Sequence, residues 1–225
     1  MKFCCDEEQI HILNTNIKLA ANFLDRCPSC MGNLVRHMCD FTCSSKQSDF
    51  LKVVSTSQSG EGKLYVNSLE LHITAEYTNN TYKSCSQVSV PSTGQLALDL
   101  MCGNHMASRC SPIKWFQYMG DVNNVYVPFQ ITYVQHENSS TVIDGYNPLN
   151  PKTVSCNDSL NENTPACSCS DCENSCPMPL PEPSVPVPIK IGKFDAYTII
   201  MTVVFCVGTM LFLMGVCLFP SKIES

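Results

Sequence analysis

The chain has 225 residues, 14 of them Lys or Arg and 20 Asp or Glu, for a formal net charge of −6. That balance disfavours nucleic acid and anionic membrane surfaces as partners. The chain also carries 16 cysteines, at a density of about 8% over residues 4–176, which argues for an oxidising compartment where disulfides persist.

In chain order, Asp6-Glu7-Glu8-Gln9 has the form of a capping box, and Ile10, Leu13, Ile17, Ala20 or Ala21, and Leu24 follow at three- and four-residue steps. This predicts an amphipathic helix with one core-facing stripe. Pro28 suits the first turn of a second helix carrying Leu34, Val35 and Met38, and the two helices are expected to form a hairpin. Leu69, Leu71, Ile73, Ala75 and Tyr77 alternate with Glu70, His72, Thr74 and Glu76, the period of a strand with one buried face. Ser111 to Gly120 carries an N-cap residue, a proline at N1 and a terminal glycine, predicting a short helix. Phe129 to Tyr133 reads as a second strand with Pro128 at its entrance. The mixture predicts a disulfide-rich α+β domain, with helices packed on a small mixed sheet.

From Cys176 onward, Pro177, Pro179, Pro181, Pro183, Pro186 and Pro188 predict an extended polyproline spacer. Ala196 to Phe219 follows without Asp, Glu, Lys or Arg, long enough as a helix to cross a hydrocarbon core of about 30 Å. The expected organisation is therefore a domain over residues 1–176, a linker over 177–193, a membrane helix over 194–219 and a tail over 220–225. Lys190 and Lys193 precede the span and Lys222 follows it, so flanking charge gives no clear orientation. The cysteines and three glycosylation sequons, at Asn79, Asn138 and Asn157, place the large domain on the lumenal or extracellular side.

Cys27-Pro28-Ser29-Cys30 and Cys169-Ser170-Asp171-Cys172 are C-x-x-C pairs of the kind that chelate zinc. Zinc ribbons hold their two halves much closer than this, and four cysteines between Cys167 and Cys176 fit a small knot of disulfides better. A thioredoxin-like role for Cys27 and Cys30 would need a βαβ context that is not found. His11, His37, His72, His105 and His136 are scattered, and no G-x-S-x-G, P-loop or H-E-x-x-H occurs. No enzyme activity, metal or cofactor is expected.

The segments Cys4-Cys5-Asp6, Arg26-Cys27-Pro28-Ser29-Cys30, Asn33-Leu34, Phe41-Thr42-Cys43-Ser44, Trp115, Tyr118-Met119, Pro128 to Thr132 and Ala166 to Cys172, followed by the proline stalk, resemble the luminal N-terminal domain of the Niemann-Pick type C sterol transporters. The resemblance runs from Cys4 through the first membrane helix. It implies a domain in the lumen of the late endosome or lysosome that binds cholesterol or a related sterol, receives it from a small soluble luminal carrier, and is joined by such a stalk to a membrane region. It also implies disulfides pairing Cys5 with Cys43, Cys27 with Cys167, Cys30 with Cys85, Cys102 with Cys110, Cys156 with Cys172, and Cys169 with Cys176. Cys4 and Cys39 are left over, because their family partners lie upstream.

For the ligand, the resemblance implies that Gln9 contacts the sterol hydroxyl, together with an asparagine from an upstream segment. Gln9 also suits position N3 of the capping box, where a glutamine reaches back to the helix start. Pro128, Phe129 and Ile131 match the tunnel wall, as do Phe50 and Met38, with Met38 in place of an aromatic. Asn16, Leu100, Met101, Gln117 and Tyr118 match the rim that faces the soluble carrier, with Gln117 in place of an acidic residue. No signal peptide follows Met1, so the expectation is an upstream extension that supplies one, along with partners for Cys4 and Cys39 and the second polar ligand. The other classes considered are a folate-receptor-like small-molecule-binding ectodomain and a structural adhesion ectodomain.

Overall fold

The computed structural model describes residues 5–124, 126–177, 190–191 and 194–218. The chain divides into two compact units, Met1–Pro177 and Met178–Ser225. In the first unit, α1 (Glu7–Leu24) and α2 (Pro28–Cys43) pack as a hairpin and lead through α3 (Gln47–Phe50) into strand β1 (Leu51–Gln58). Strand β2 (Leu64–Thr74) follows, then α4 (Ala75–Cys85), the short helices α5 (Ala97–Met101) and α6 (Met106–Arg109), α7 (Pro112–Gly120) and strand β3 (Gln130–His136). The fold is α+β with a mixed sheet: the order is β1-β2-β3, β1 antiparallel and β3 parallel to the central β2.

Four helix starts, those of α1, α2, α4 and α7, have a chemical cause. The Asp6 side chain accepts from the Gln9 backbone N–H at 2.8 Å while the Gln9 side-chain Oε1 accepts from the Asp6 backbone N–H at 3.0 Å, so both arms of the capping box are made. Pro28 and Pro112 occupy first turns, where a missing N–H breaks no intrahelical bond. The strand expected to continue through Tyr77 instead ends at Thr74, whose hydroxyl accepts from the Tyr77 N–H at 3.1 Å and caps α4. Alternation could not show this stop, because Ala75 and Tyr77 keep the two-residue period by chance while a threonine cap competes for the backbone. Nor is one face of β2 solvated: His72 and Thr74 are fully buried. The strand expected at Phe129 begins one residue later and runs on to His136.

The core lies between the sheet and the helices. Leu69, Leu71 and Ile73 of β2, in register with Ile131 and Tyr133 of β3, meet Leu24, Leu34, Tyr77, Trp115 and Phe116 from the helices. Among the described residues six disulfides staple the unit: Cys5–Cys43, Cys27–Cys167, Cys30–Cys85, Cys102–Cys110, Cys156–Cys172 and Cys169–Cys176. All four C-x-x-C thiols are thereby consumed, and among the described residues no cluster of three His, Cys, Asp or Glu side chains is placed to hold a metal ion. Cys27–Cys167 closes the longest loop, with a sequence separation of 140, where chain-entropy stabilisation is largest, on the order of 4–5 kcal/mol.

In the second unit, residues 190–191 and 194–195 pair as short antiparallel strands, β4 and β5, ahead of α8 (Ala196–Leu218). The 23 residues of α8 extend about 34 Å at about 1.5 Å per residue, and it is the one helix among the described residues long and apolar enough to cross a bilayer. The polyproline segment expected before it lies largely outside the described residues.

Candidate functional site

Four helices and one loop converge on an apolar cleft of about 170 Å³. Helix α1 contributes Asn16, Leu19, Ala20 and Phe23, spaced i, i+3, i+4, i+7 so that they share a face. Leu34 and Met38, four residues apart on α2, form the opposite wall. Leu100 and Met101 enter from the end of α5, which the Cys102–Cys110 disulfide ties to the segment before α7. Tyr118 and Met119 come from α7, and Asn124, Tyr126 and Val127 from the loop that leads to β3.

That loop is held by its own polar groups. The Asn124 N–H donates to the Asp121 carbonyl at 2.9 Å, the Val127 N–H donates to the Asn124 carbonyl at 2.9 Å, and the Asn124 side-chain amide donates to the Tyr118 carbonyl at 3.3 Å. Helix α7 is pressed onto β3 because Gly120 has no Cβ: one placed there would overlap the Ile131 carbonyl oxygen. The cleft lining contains no Asp, Glu, Lys, Arg or His, so it suits an uncharged apolar body. Polar atoms sit at its edges, on Asn16, Tyr118 and Asn124.

A larger, open cleft of about 750 Å³ adjoins it and shares Tyr118, Asn124 and Tyr126. Its remaining lining is mostly of polar side chains, including Asn104, His105, Lys114, Gln117, Asp121 and Gln130, so a smaller share of it is apolar than in the smaller cleft. The smaller cleft is therefore the better chemical match to a rigid apolar ligand.

Of the residues singled out in the sequence, the apolar cleft gathers Asn16, Met38, Leu100, Met101 and Tyr118. Gln9 is not brought to it: it is exposed on the first turn of α1 and engaged in the cap. Phe50 is buried in the core, Phe129 is half-buried against it, Ile131 is buried on β3 behind Gly120, and Pro128 is exposed. Gln117 lines the polar cleft. Asn79, Asn138 and Asn157 are all exposed. Leu19, Ala20, Phe23, Leu34, Met119, Asn124, Tyr126 and Val127 also line the cleft without being singled out in the sequence as site residues. For α1 a signal existed: Asn16, Leu19, Ala20 and Phe23 form a second stripe beside the core-facing one.

One residue before Met38 on α2, His37 is buried and its Nε2 lies 3.1 Å from the Tyr133 hydroxyl. Burial pushes its pKa down to about 4. The Cys39 thiol, which carries no disulfide among the described residues, is pushed up by burial and then by the neighbouring Asp40.

A disulfide-stapled domain with a small uncharged apolar cleft, followed by a membrane-capable helix, is the class that the fold and site define. The family described as Niemann-Pick C1 N terminus matches residues 1–196, and the chain belongs to that family. Over 206 residues it is 38% identical to NPC intracellular cholesterol transporter 1 of Sus scrofa, covering 89% of this chain and 16% of that protein. Identity is 32% over 226 residues to the human NPC1-like intracellular cholesterol transporter 1, covering 99% and 17% respectively. To homolog 1b of Drosophila melanogaster it is 31% over 215 residues, covering 95% and 17%. The chain thus spans about a sixth of the length of these relatives, which are named as transporters rather than enzymes.

Proposed function

We propose that the domain binds cholesterol or a related sterol in the lumen of the late endosome or lysosome and exchanges it between a small soluble sterol carrier and the membrane. The observation that carries this reading is the uncharged apolar cleft in a domain of the Niemann-Pick C1 N-terminal family. Six disulfides and three exposed sequons fit the oxidising lumen, and α8 supplies the anchor.

At about 170 Å³ the cleft is smaller than the ~300–1,000 Å³ of common small-molecule sites. A sterol seated there leaves part of its length outside, against the exposed apolar surface of Leu19, Leu100 and Tyr126 at the rim. That geometry suits transfer, because a carrier can grip the protruding end before the cleft releases the other. The sterol hydroxyl needs a partner, since burying one without a hydrogen bond costs roughly 2–7 kcal/mol; Asn16, Tyr118 and Asn124 provide candidates at the cleft edges.

Radiolabelled cholesterol binding to the detergent-solubilised chain tests the function. Saturable binding displaced by unlabelled sterol, and untouched by folate or riboflavin, is the expected result. Displacement by a vitamin, or no saturable binding of any of the three, would support the folate-receptor-like or structural class instead.

A further inference from the structure

Residues 137–150 leave β3 at one edge of the sheet, cross the face opposite the helices and rejoin β2 beyond the start of β1. There the Leu149 N–H donates to the His72 carbonyl at 2.9 Å, the Thr74 N–H donates to the Leu149 carbonyl at 3.2 Å, and the Asn147 N–H donates to the Asp49 carbonyl at 2.8 Å. A tight turn at Asp144-Gly145, both with positive φ, lets the strap double back so that Ile143 pairs with Tyr146. Tyr146 then stacks on the His72 ring, with centroids 4.8 Å apart and planes at 16°.

Beneath this strap the two fully buried histidines form a directed chain. His136 Nδ1 lies 2.6 Å from the Thr141 carbonyl oxygen of the strap, and His136 Nε2 lies 2.9 Å from His72 Nδ1. A carbonyl only accepts, so His136 carries its proton on Nδ1 and its Nε2 must accept. His72 therefore donates from Nδ1, and its Nε2 is left buried with no hydrogen-bond partner among the described residues.

We propose that the strap is an acid-sensitive latch: proton uptake at His72, in its contact with His136, loosens residues 137–150 from the sheet. A proton on His72 Nε2 puts a charge in a buried site with nothing among the described residues to receive its N–H. Facing the pair are Lys52 from β1, Glu70 from β2, and Asp144 and Tyr146 from the strap. Glu70 and Asp144 favour the charged imidazole, but Lys52 opposes it and already engages both carboxylates, at 3.0 and 3.7 Å. Burial first, and His136 second, hold His72 below the ordinary histidine range. The closed latch thus binds the proton less readily than the open one. It is complete above about pH 6.5 and weakens as the pH falls below that value. The reading goes beyond sterol binding and does not depend on it.

Hydrogen–deuterium exchange of the full chain in detergent at pH 7 and pH 5, corrected for the intrinsic pH dependence of exchange, tests it. One proton fully excluded from the closed strap raises its opening constant by up to about 25-fold between those pH values, so peptides spanning Asn147 and Leu149 should lose protection at pH 5. The double variant His72→Asn, His136→Gln, with two amides that do not titrate in this range, should lose the difference. Equal wild-type protection of the strap at both pH values would overturn the latch. A folded double variant with the wild-type response would also overturn it. If the variant does not fold, the wild-type comparison decides by itself.

Discussion

Asn33 is a buried clamp, and removing its amide should destabilise the large domain measurably. Its Nδ2 donates to the Ser84 hydroxyl at 2.9 Å and to the Val154 carbonyl at 2.8 Å, while its Oδ1 accepts from the Val154 N–H at 2.9 Å. One side chain thereby joins α2 to the end of α4 and to the segment that leads into Cys156. Asn33→Ala loses three hydrogen bonds worth about 0.5–1.5 kcal/mol each and strands both polar groups of the Val154 backbone, which is half-buried and so recovers part of its hydration. The expected cost is about 2–4 kcal/mol, a large share of the 5–15 kcal/mol typical of a domain. Urea unfolding of the full chain in detergent, without reductant, can be followed by the emission of Trp115, the chain's one tryptophan and fully buried. With a slope near 2 kcal/mol/M the midpoint should fall by roughly 1–2 M, whereas Asn79→Ala, at an exposed position, should stay within about 0.5 kcal/mol. An Asn33→Ala midpoint indistinguishable from that control would refute the reasoning. It would show that the neighbouring Cys30–Cys85 disulfide already fixes these elements without the amide.

Gly120→Ala should cost about 1–3 kcal/mol by overpacking. The added methyl meets the Ile131 backbone oxygen and, at 3.0 Å, both the Ile131 Cβ and the Tyr133 ring, whereas Gly60, with nothing within 4 Å, should accept alanine without loss in the same unfolding assay. Because Gly120 sits at the end of the helix that carries Tyr118 and Met119, sterol affinity should fall along with stability. His37, with its pKa pushed down by burial to about 4, contributes stability that is complete above about pH 6.5 and is lost progressively as the pH falls toward 4. At pH 5 the loss is about 2 kcal/mol, and His37→Leu should flatten the decline of the urea midpoint between pH 7 and pH 5.

Local chemistry was the most legible part of the fold. The capping box at Asp6 and the two prolines at helix starts gave α1, α2 and α7, because these signals act within one turn and need no tertiary partner. The end of β2 was not legible: Thr74 serves both as a strand residue and as a cap, and only packing decides between a continuing strand and α4. Strand β1 escaped notice because Leu51 to Gln58 lacks a clean alternation and carries an irregular register against β2. The disulfide partners came from the resemblance rather than from spacing, since cysteine positions alone leave many pairings open. Within the site, Met38, Leu100, Met101 and Tyr118 converge as a cleft, but Asn124, Tyr126 and Val127 sit in a loop whose shape depends on turns with no periodic signature. His72 and His136 are 64 residues apart in sequence. Only the parallel pairing of β2 with β3 puts them on one face.

The central claim is that the apolar cleft holds the sterol. Its most direct test is equilibrium binding of labelled cholesterol to the full chain, comparing wild type with Met38→Asp, which sets a carboxylate in the half-buried wall, and with Val53→Asp, at an exposed position on β1 outside the cleft. The account predicts that Met38→Asp weakens binding by at least about tenfold, because a carboxylate and an apolar ligand cannot share the cleft without a costly desolvation, while Val53→Asp binds as wild type does. A folded Met38→Asp chain with wild-type sterol affinity would contradict it.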